Sequence, residues 1–189
     1  PCGPHLRVRW LCSAMAAASS WVRTSSTQQL HELLRCCTER PSVVNISYRL
    51  APENPFPTPA NDVWDNIEWL ARNAHTFNAD LSAGFILGGG SAGANLAAVT
   101  MHKAIRTNLS PPLTGLYLAV PFLLMEDIVP DQYRSLWIAR EQNAKAPILN
   151  EDALNGIMAA YQPHAKSPEF SPFNDPESFS KLPRTYVQV

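Results

Sequence analysis

A chain of 189 residues is about one domain's worth, enough to bury one core but not two. Fifteen basic and sixteen acidic side chains leave a net charge of −1 with no basic stripe, which argues against nucleic acid as a partner. Apolar residues make up 46% of the chain and 17 residues are proline, an ordinary globular share with many loops, so collagen-like, coiled-coil and low-complexity classes are excluded.

From the N-terminus, Arg7 and Arg9 precede a stretch from Trp10 to Ala18 that loosely mimics a leader peptide. The chain opens on Pro1, however, and the balance favours a cytoplasmic protein. Cys2, Cys12, Cys36 and Cys37 gather in the first fifth of the chain without the paired spacing of a zinc site, so neither a metal nor a disulfide framework is expected.

Residues 42–50, rich in β-branched and aromatic side chains, predict a strand closed by a proline-studded loop from Pro52 to Pro59. Val63, Ile67, Leu70 and Ala71 then recur on one helical face, predicting a helix over 60–73 with Asp62 and Asp65 near its positive end. A strand over 84–88 and an alanine-rich helix over 91–106 follow, then a strand over 113–121. The apolar run from Leu113 to Met125 is broken by Thr114, Gly115 and Pro121 and is shorter than the roughly 20 residues of a membrane helix, so no membrane span is expected.

Residues 125–173 leave this alternation and suit an excursion over the sheet, with one helix at Glu151–Tyr161 capped by Asn150. Residues 184–189 alternate like a last strand. Apolar strands separated by helices make an α/β class, a mostly parallel sheet covered on both faces, with the excursion forming part of a helical cap.

Gly89-Gly90-Ser91-Ala92-Gly93 fits the Gly-x-Ser-x-Gly nucleophile elbow and stands between an expected strand and an expected helix, the context that motif requires. The turn is sharp enough to strain the serine backbone, and small neighbours avoid collision with strand and helix. In this frame Ser91 is the candidate catalytic nucleophile, and the Ala92 N–H, at the positive end of the helix, is the candidate oxyanion donor; Gly89, Gly90 and Gly93 complete the elbow. The same letters match the dinucleotide pattern Gly-x-Gly-x-x-Gly from Gly88 to Gly93, but the acidic residue that pattern wants about 20 positions on is missing. A small-residue turn that merely packs a helix on a sheet is the plainer alternative.

A second motif, Tyr48-Arg49-Leu50-Ala51-Pro52-Glu53, lies at the end of the strand before the elbow. Together the two motifs, their order and their separation resemble the hormone-sensitive-lipase-like branch of the α/β-hydrolases, the fold-3 esterase and lipase group. The match covers residues 30–189 and departs at Gly90, where that group often has Asp, and at Ala94, where it often has Gly. The resemblance implies a serine carboxylic-ester hydrolase acting through an acyl-enzyme on Ser91, with a small-molecule ester as substrate and no cofactor. It also implies that Tyr48 and Glu53 hold the loop beside the site, that 136–161 belong to a cap insertion over about 126–170, and that 167–183 return the chain to the sheet.

Two parts of that machinery are missing. A serine hydroxyl needs a histidine to take its proton and a carboxylate to orient that histidine. In the resembled family both come after the strand that matches 184–189, where this sequence stops. His102 stands about 16 Å down the helix from Ser91; it and His5, His31, His75 and His164 are expected to be ordinary solvent-facing side chains. Asp127 and Asp175 precede the last strand and do not match the position of the acid.

The family's His-Gly-Gly-Gly oxyanion segment, about thirty residues before the Tyr-Arg-Leu-Ala-Pro-Glu loop, is also unwritten. Met15 to Val22 stand at that distance. Read one nucleotide earlier, codons for Met15 to Val22 can spell His-Gly-Gly-Gly-Phe-Val-Leu-Gly, the first and last glycines being forced by the code. Residues 1–29 are therefore read as an aberrant, out-of-frame and unstructured segment, and residues 30–189 as an incomplete α/β-hydrolase domain with little turnover of its own. A non-catalytic module binding a ligand or partner through the same cleft is the alternative; the sequence sets no oligomeric state.

Overall fold

The computed structural model describes residues 10–15 and 42–189. Among the described residues, β1 (Trp10–Met15), β2 (Val43–Ile46), β3 (Phe85–Gly90), β4 (Gly115–Ala119) and β5 (Arg184–Gln188) form one sheet in the order β2-β1-β3-β4-β5. Every neighbouring pair is parallel, as the strand and helix alternation requires. Helix α1 (Thr58–Asn73) links β2 to β3, α2 (Ala92–Arg106) links β3 to β4, and the short α3 (Ala139–Gln142) and longer α4 (Glu151–Tyr161) lie in the excursion between β4 and β5.

The core forms where the apolar faces of the two long helices meet the sheet. Val63, Ile67, Leu70 and Ala71 of α1 are buried, as their helical spacing predicts, and share one cluster with Phe85 and Leu87 of β3 and Leu116 and Leu118 of β4. Phe85, Leu87 and Ile67 are fully enclosed, each burial stabilising by about 1.5–3 kcal/mol. Ala94, Ala97 and Ala98 put only methyl groups between α2 and the strands, so the helix lies close on the sheet.

Strand β2 stops at Ile46 rather than at residue 50, because the chain turns so that Arg49 can engage Asp62 on α1. Helix α1 starts at Thr58, two residues earlier than expected, with Pro59 in its first turn, where a missing N–H breaks no helical hydrogen bond. Helix α4 has the expected bounds, and the Asn150 side chain accepts from the Ala153 N–H at 2.9 Å.

The N-terminal stretch requires a correction. Residues 1–29 are expected to be unstructured, yet Trp10–Met15 pair with both β2 and β3, from Leu11 opposite Val43 to Met15 opposite Gly90. The crossover from β2 through α1 to β3 leaves a slot one strand wide between them, and β1 satisfies the backbone groups facing it. The rest of 1–29, including nearly all of the oxyanion candidate that begins at Met15, lies outside the described residues, as does the expected domain start at residue 30.

The excursion folds as short 3-10 helices, one turn at Glu126–Ile128 and two at Asp131–Leu136, before α3 and α4. It is tied to the loop after β2: the Phe56 N–H donates to the Tyr161 carbonyl at 2.8 Å, and the Phe56 ring meets Tyr161 edge-on at 5.8 Å and His164 at 5.4 Å.

Candidate active site

Strand β3 ends in three glycines, and the chain reverses into α2 within one residue. A Cβ on Gly89 would overlap the Gly93 carbonyl and come within 2.8 Å of the Ala94 nitrogen, so the first turn of α2 is pressed against the end of the strand. At Gly90 a Cβ would meet nothing within 4 Å, so this glycine is not demanded by space.

Ser91 sits at the apex with φ 54° and ψ −119°, a conformation that costs a non-glycine residue about 1–3 kcal/mol. Three backbone bonds hold it there. Its N–H donates to the Ala119 carbonyl at 2.9 Å, and its carbonyl accepts from Ala94 at 3.0 Å and from Asn95 at 3.1 Å. Ser91 and Ala92 are exposed, whereas Gly93 and the rest of the first turns are buried. The N–H groups of Ala92 and Gly93 open the helix, where backbone donors have no acceptor within the helix and the dipole is positive. The arrangement is an exposed serine on a strained backbone beside two backbone amides that have no acceptor within their own helix.

The Tyr48 to Glu53 motif forms the neighbouring loop. Arg49 clamps it to α1 with its backbone N–H at 2.9 Å and Nε at 3.0 Å from Asp62 Oδ2, and Nη2 at 2.7 Å from Oδ1. These bonds hold the Asp62 carboxyl below the usual carboxylate range. Burial, with Glu169 adding to it, pushes the Tyr161 hydroxyl up to about 12; burial, with Tyr161 adding to it, pushes Tyr48 higher still. Both phenols therefore stay protonated, and among the described residues neither buried hydroxyl has a hydrogen-bond partner. Glu53 is exposed.

Sequence reasoning missed Asn95. This residue is only 5% exposed, and its side-chain amide donates to the Phe122 carbonyl at 2.8 Å and to the Phe170 carbonyl at 2.7 Å. Beside it, the fully buried Ser171 hydroxyl donates to the Leu123 carbonyl at 2.7 Å.

The histidines also need a correction. His102 is 3% exposed rather than solvent-facing, and its ring meets Phe179 edge-on at 4.8 Å. The connection from Pro172 to Lys181 folds over this part of α2 and is pinned there by Arg106 and Asp175 at 3.0 Å. Burial pulls the His102 pKa down, with Asp175 opposing and Arg106 reinforcing the shift. His75 and His164 are exposed, as is Asp127; His5 and His31 lie outside the described residues.

Among the described residues, no group of three or more His, Cys, Asp or Glu side chains could hold a metal ion, and no helix is long and apolar enough to cross a membrane. A hollow of about 190 Å³ lined by Trp64, Glu68, Arg72 and Asn108 opens at the other end of α2, away from Ser91.

A parallel sheet that turns through a strained serine into a tightly packed helix is the architecture of an α/β-hydrolase. The alpha/beta hydrolase fold model matches residues 18–189, and the chain belongs to that family, in its fold-3 group. It is 34% identical over 145 residues to the AB hydrolase superfamily protein B1A11.02 of Schizosaccharomyces pombe, covering 77% of this chain and 43% of that protein. To carboxylesterase NlhH of Mycobacterium tuberculosis it is 35% identical over 121 residues, covering 64% of this chain and 35% of that one. The crystal structure of a hyperthermophilic esterase from the archaeon Pyrobaculum calidifontis superposes with a TM-score of 0.78 at 26% identity, over 96% of this chain and 56% of that chain. The chain thus spans less than half the length of the two curated relatives.

Proposed function

We propose that this chain carries the nucleophile half of a serine carboxylic-ester hydrolase. The Ser91 hydroxyl attacks the ester carbonyl, the alcohol leaves, and water cleaves the acyl-enzyme to release the acid and restore the serine. The Ala92 N–H, with the helix dipole behind it, donates to the oxyanion of the tetrahedral intermediate. No cofactor enters these steps. One observation carries the assignment: Ser91 is exposed while held at φ 54°, ψ −119° between a strand and a helix, a conformation the fold maintains at a cost in stability. Esterases among the family relatives support the ester as substrate class.

The base that activates Ser91 is not His102, which stands about 16 Å along α2 and packs on Phe179. Turnover by this chain alone is accordingly near background, because triad members act as a unit and losing one oxyanion donor alone costs on the order of 10² to 10³ in rate. The test uses the full product of the gene, treated with a fluorophosphonate probe and assayed on a short-chain aryl ester. Labelling at Ser91 that Ser91→Ala abolishes is expected. A probe that ignores Ser91 in that product would overturn the assignment and leave a non-catalytic module. A robust rate in the 189-residue chain, abolished by Ser91→Ala, would overturn the statement about turnover.

A further inference from the structure

We infer that Asn95 is a positioning residue that brackets the two segments bordering the Ser91 turn. The inference rests on the reading of Ser91 as nucleophile, but its geometry is independent of it. Asn95 lies one helical turn beyond Ser91, and its backbone N–H closes that turn on the Ser91 carbonyl at 3.1 Å. Its side-chain amide leaves the helix sideways, one N–H on the Phe122 carbonyl and one on the Phe170 carbonyl. Phe122 lies three residues beyond Ala119, the carbonyl that holds the Ser91 N–H. Ser91, Ala119, Phe122 and Asn95 therefore form a closed ring of backbone and hydrogen bonds, and Phe170 is fastened to it from outside.

The two carbonyls come from segments 48 residues apart, one leaving the sheet and one returning to it. Nothing in the helix itself demands an amide here. Asparagine is a middling helix former, and burying its polar group is unfavourable unless its donors are matched. Both N–H donors are matched, and no shorter side chain offers two donors at this reach. Ser171 repeats the link between the same two segments through Leu123, so the seam is stitched twice. The consequence is specific: the loop after β4 cannot drift from the elbow without breaking a buried bond, so the floor beside the Ser91 hydroxyl stays fixed while the acyl group is transferred.

The test compares Asn95→Asp and Asn95→Ala with the native protein in the full gene product, each well below its own melting temperature. Asn95→Asp keeps the shape but turns an oxygen toward two carbonyls. Hydrogen exchange is expected to accelerate in peptides covering residues 120–124 and 168–172 in both variants, with β3 and α2 still protected. With the fluorophosphonate, the inactivation rate constant should fall on the order of tenfold or more while the reversible binding constant changes little, since misplacement of about 1 Å costs alignment rather than contact. Labelling of Asn95→Asp should recover in part as the pH falls and its carboxyl regains a proton to donate; Asn95→Ala should not recover.

Unchanged exchange in both segments would overturn the bracket even if labelling fell, as would looser segments with a native inactivation rate constant. If the native protein is not labelled while the segments loosen, the Ser91 reading fails and the bracket stands as a seam of the fold.

Discussion

The Ser91 N–H donates to the Ala119 carbonyl at 2.9 Å, fastening a residue with left-handed φ to the end of β4. The strain at Ser91 is thereby held by the sheet rather than relaxed into a loop. Glycine tolerates such a backbone, although its greater freedom in the unfolded chain costs about 0.5–1 kcal/mol. Ser91→Gly is therefore expected to stabilise the fold by on the order of 1 kcal/mol, while Ser91→Ala keeps the strain and gains nothing of the kind. Urea unfolding of the two variants decides the matter. A Ser91→Gly midpoint below that of Ser91→Ala would mean that the turn stores no strain, since only the unfolded-state cost of glycine would then remain.

The adjacent glycines should separate in the same experiment. Gly89 faces backbone, which cannot swing aside, so Gly89→Ala must displace α2 from the strand and should cost about 1–3 kcal/mol or more. Gly90 faces open space, and Gly90→Ala or Gly90→Asp should stay within about 1 kcal/mol of native. The group resembled by the sequence often carries Asp here, and the empty space beside Gly90 accounts for the exchange. Comparable losses at both positions would contradict the geometry.

Much of this site is written locally. The apolar spacing from Val63 to Ala71 predicts the buried face of α1, Asn150 marks the start of α4, and the run of small residues around Ser91 announces the elbow. What escapes is set by partners far along the chain. The acceptors of the Asn95 amide lie 27 and 75 residues away, and His102 is buried only because Pro172 to Lys181 fold over it. No periodic signal marks Trp10–Met15 as a strand; its place follows from the slot that the β2 to β3 crossover leaves open.

Arg49 and Asp62 make a prediction with a definite sign. The Asp62 pKa is depressed in the folded chain, first by the guanidinium hydrogen bonds, so the unfolded state binds its proton first as acid is added. The stabilising contribution is complete above the ordinary Asp value of about 3.9 and disappears as the pH falls through the lower folded value. Asp62→Asn removes the charge but not the shape. The gap in melting temperature between native and Asp62→Asn should be constant above about pH 5 and close toward the acid end. Arg49→Ala should loosen residues 48–57 in hydrogen exchange while the core of β3 stays protected. A gap independent of pH would show that the pair does not hold the loop.

His102 makes the complementary prediction near neutral pH. Burial lowers its folded pKa, Arg106 pushes in the same direction, and Asp175 opposes both. An unfolded histidine titrates near 6.5, so between that value and the lower folded one the unfolded chain carries a proton that the folded chain refuses. Stability is therefore whole above about pH 6.5 and declines as the pH drops through this window. His102→Phe keeps an aromatic ring against Phe179 and removes the titration, so its melting temperature should fall less between pH 7 and pH 5.5. The His102 resonance, followed by NMR, should titrate below the ordinary histidine value of about 6.5. Parallel pH slopes for the native protein and the variant, or a His102 that titrates at the ordinary histidine value of about 6.5, would mean that the connection over α2 does not seal the ring from water.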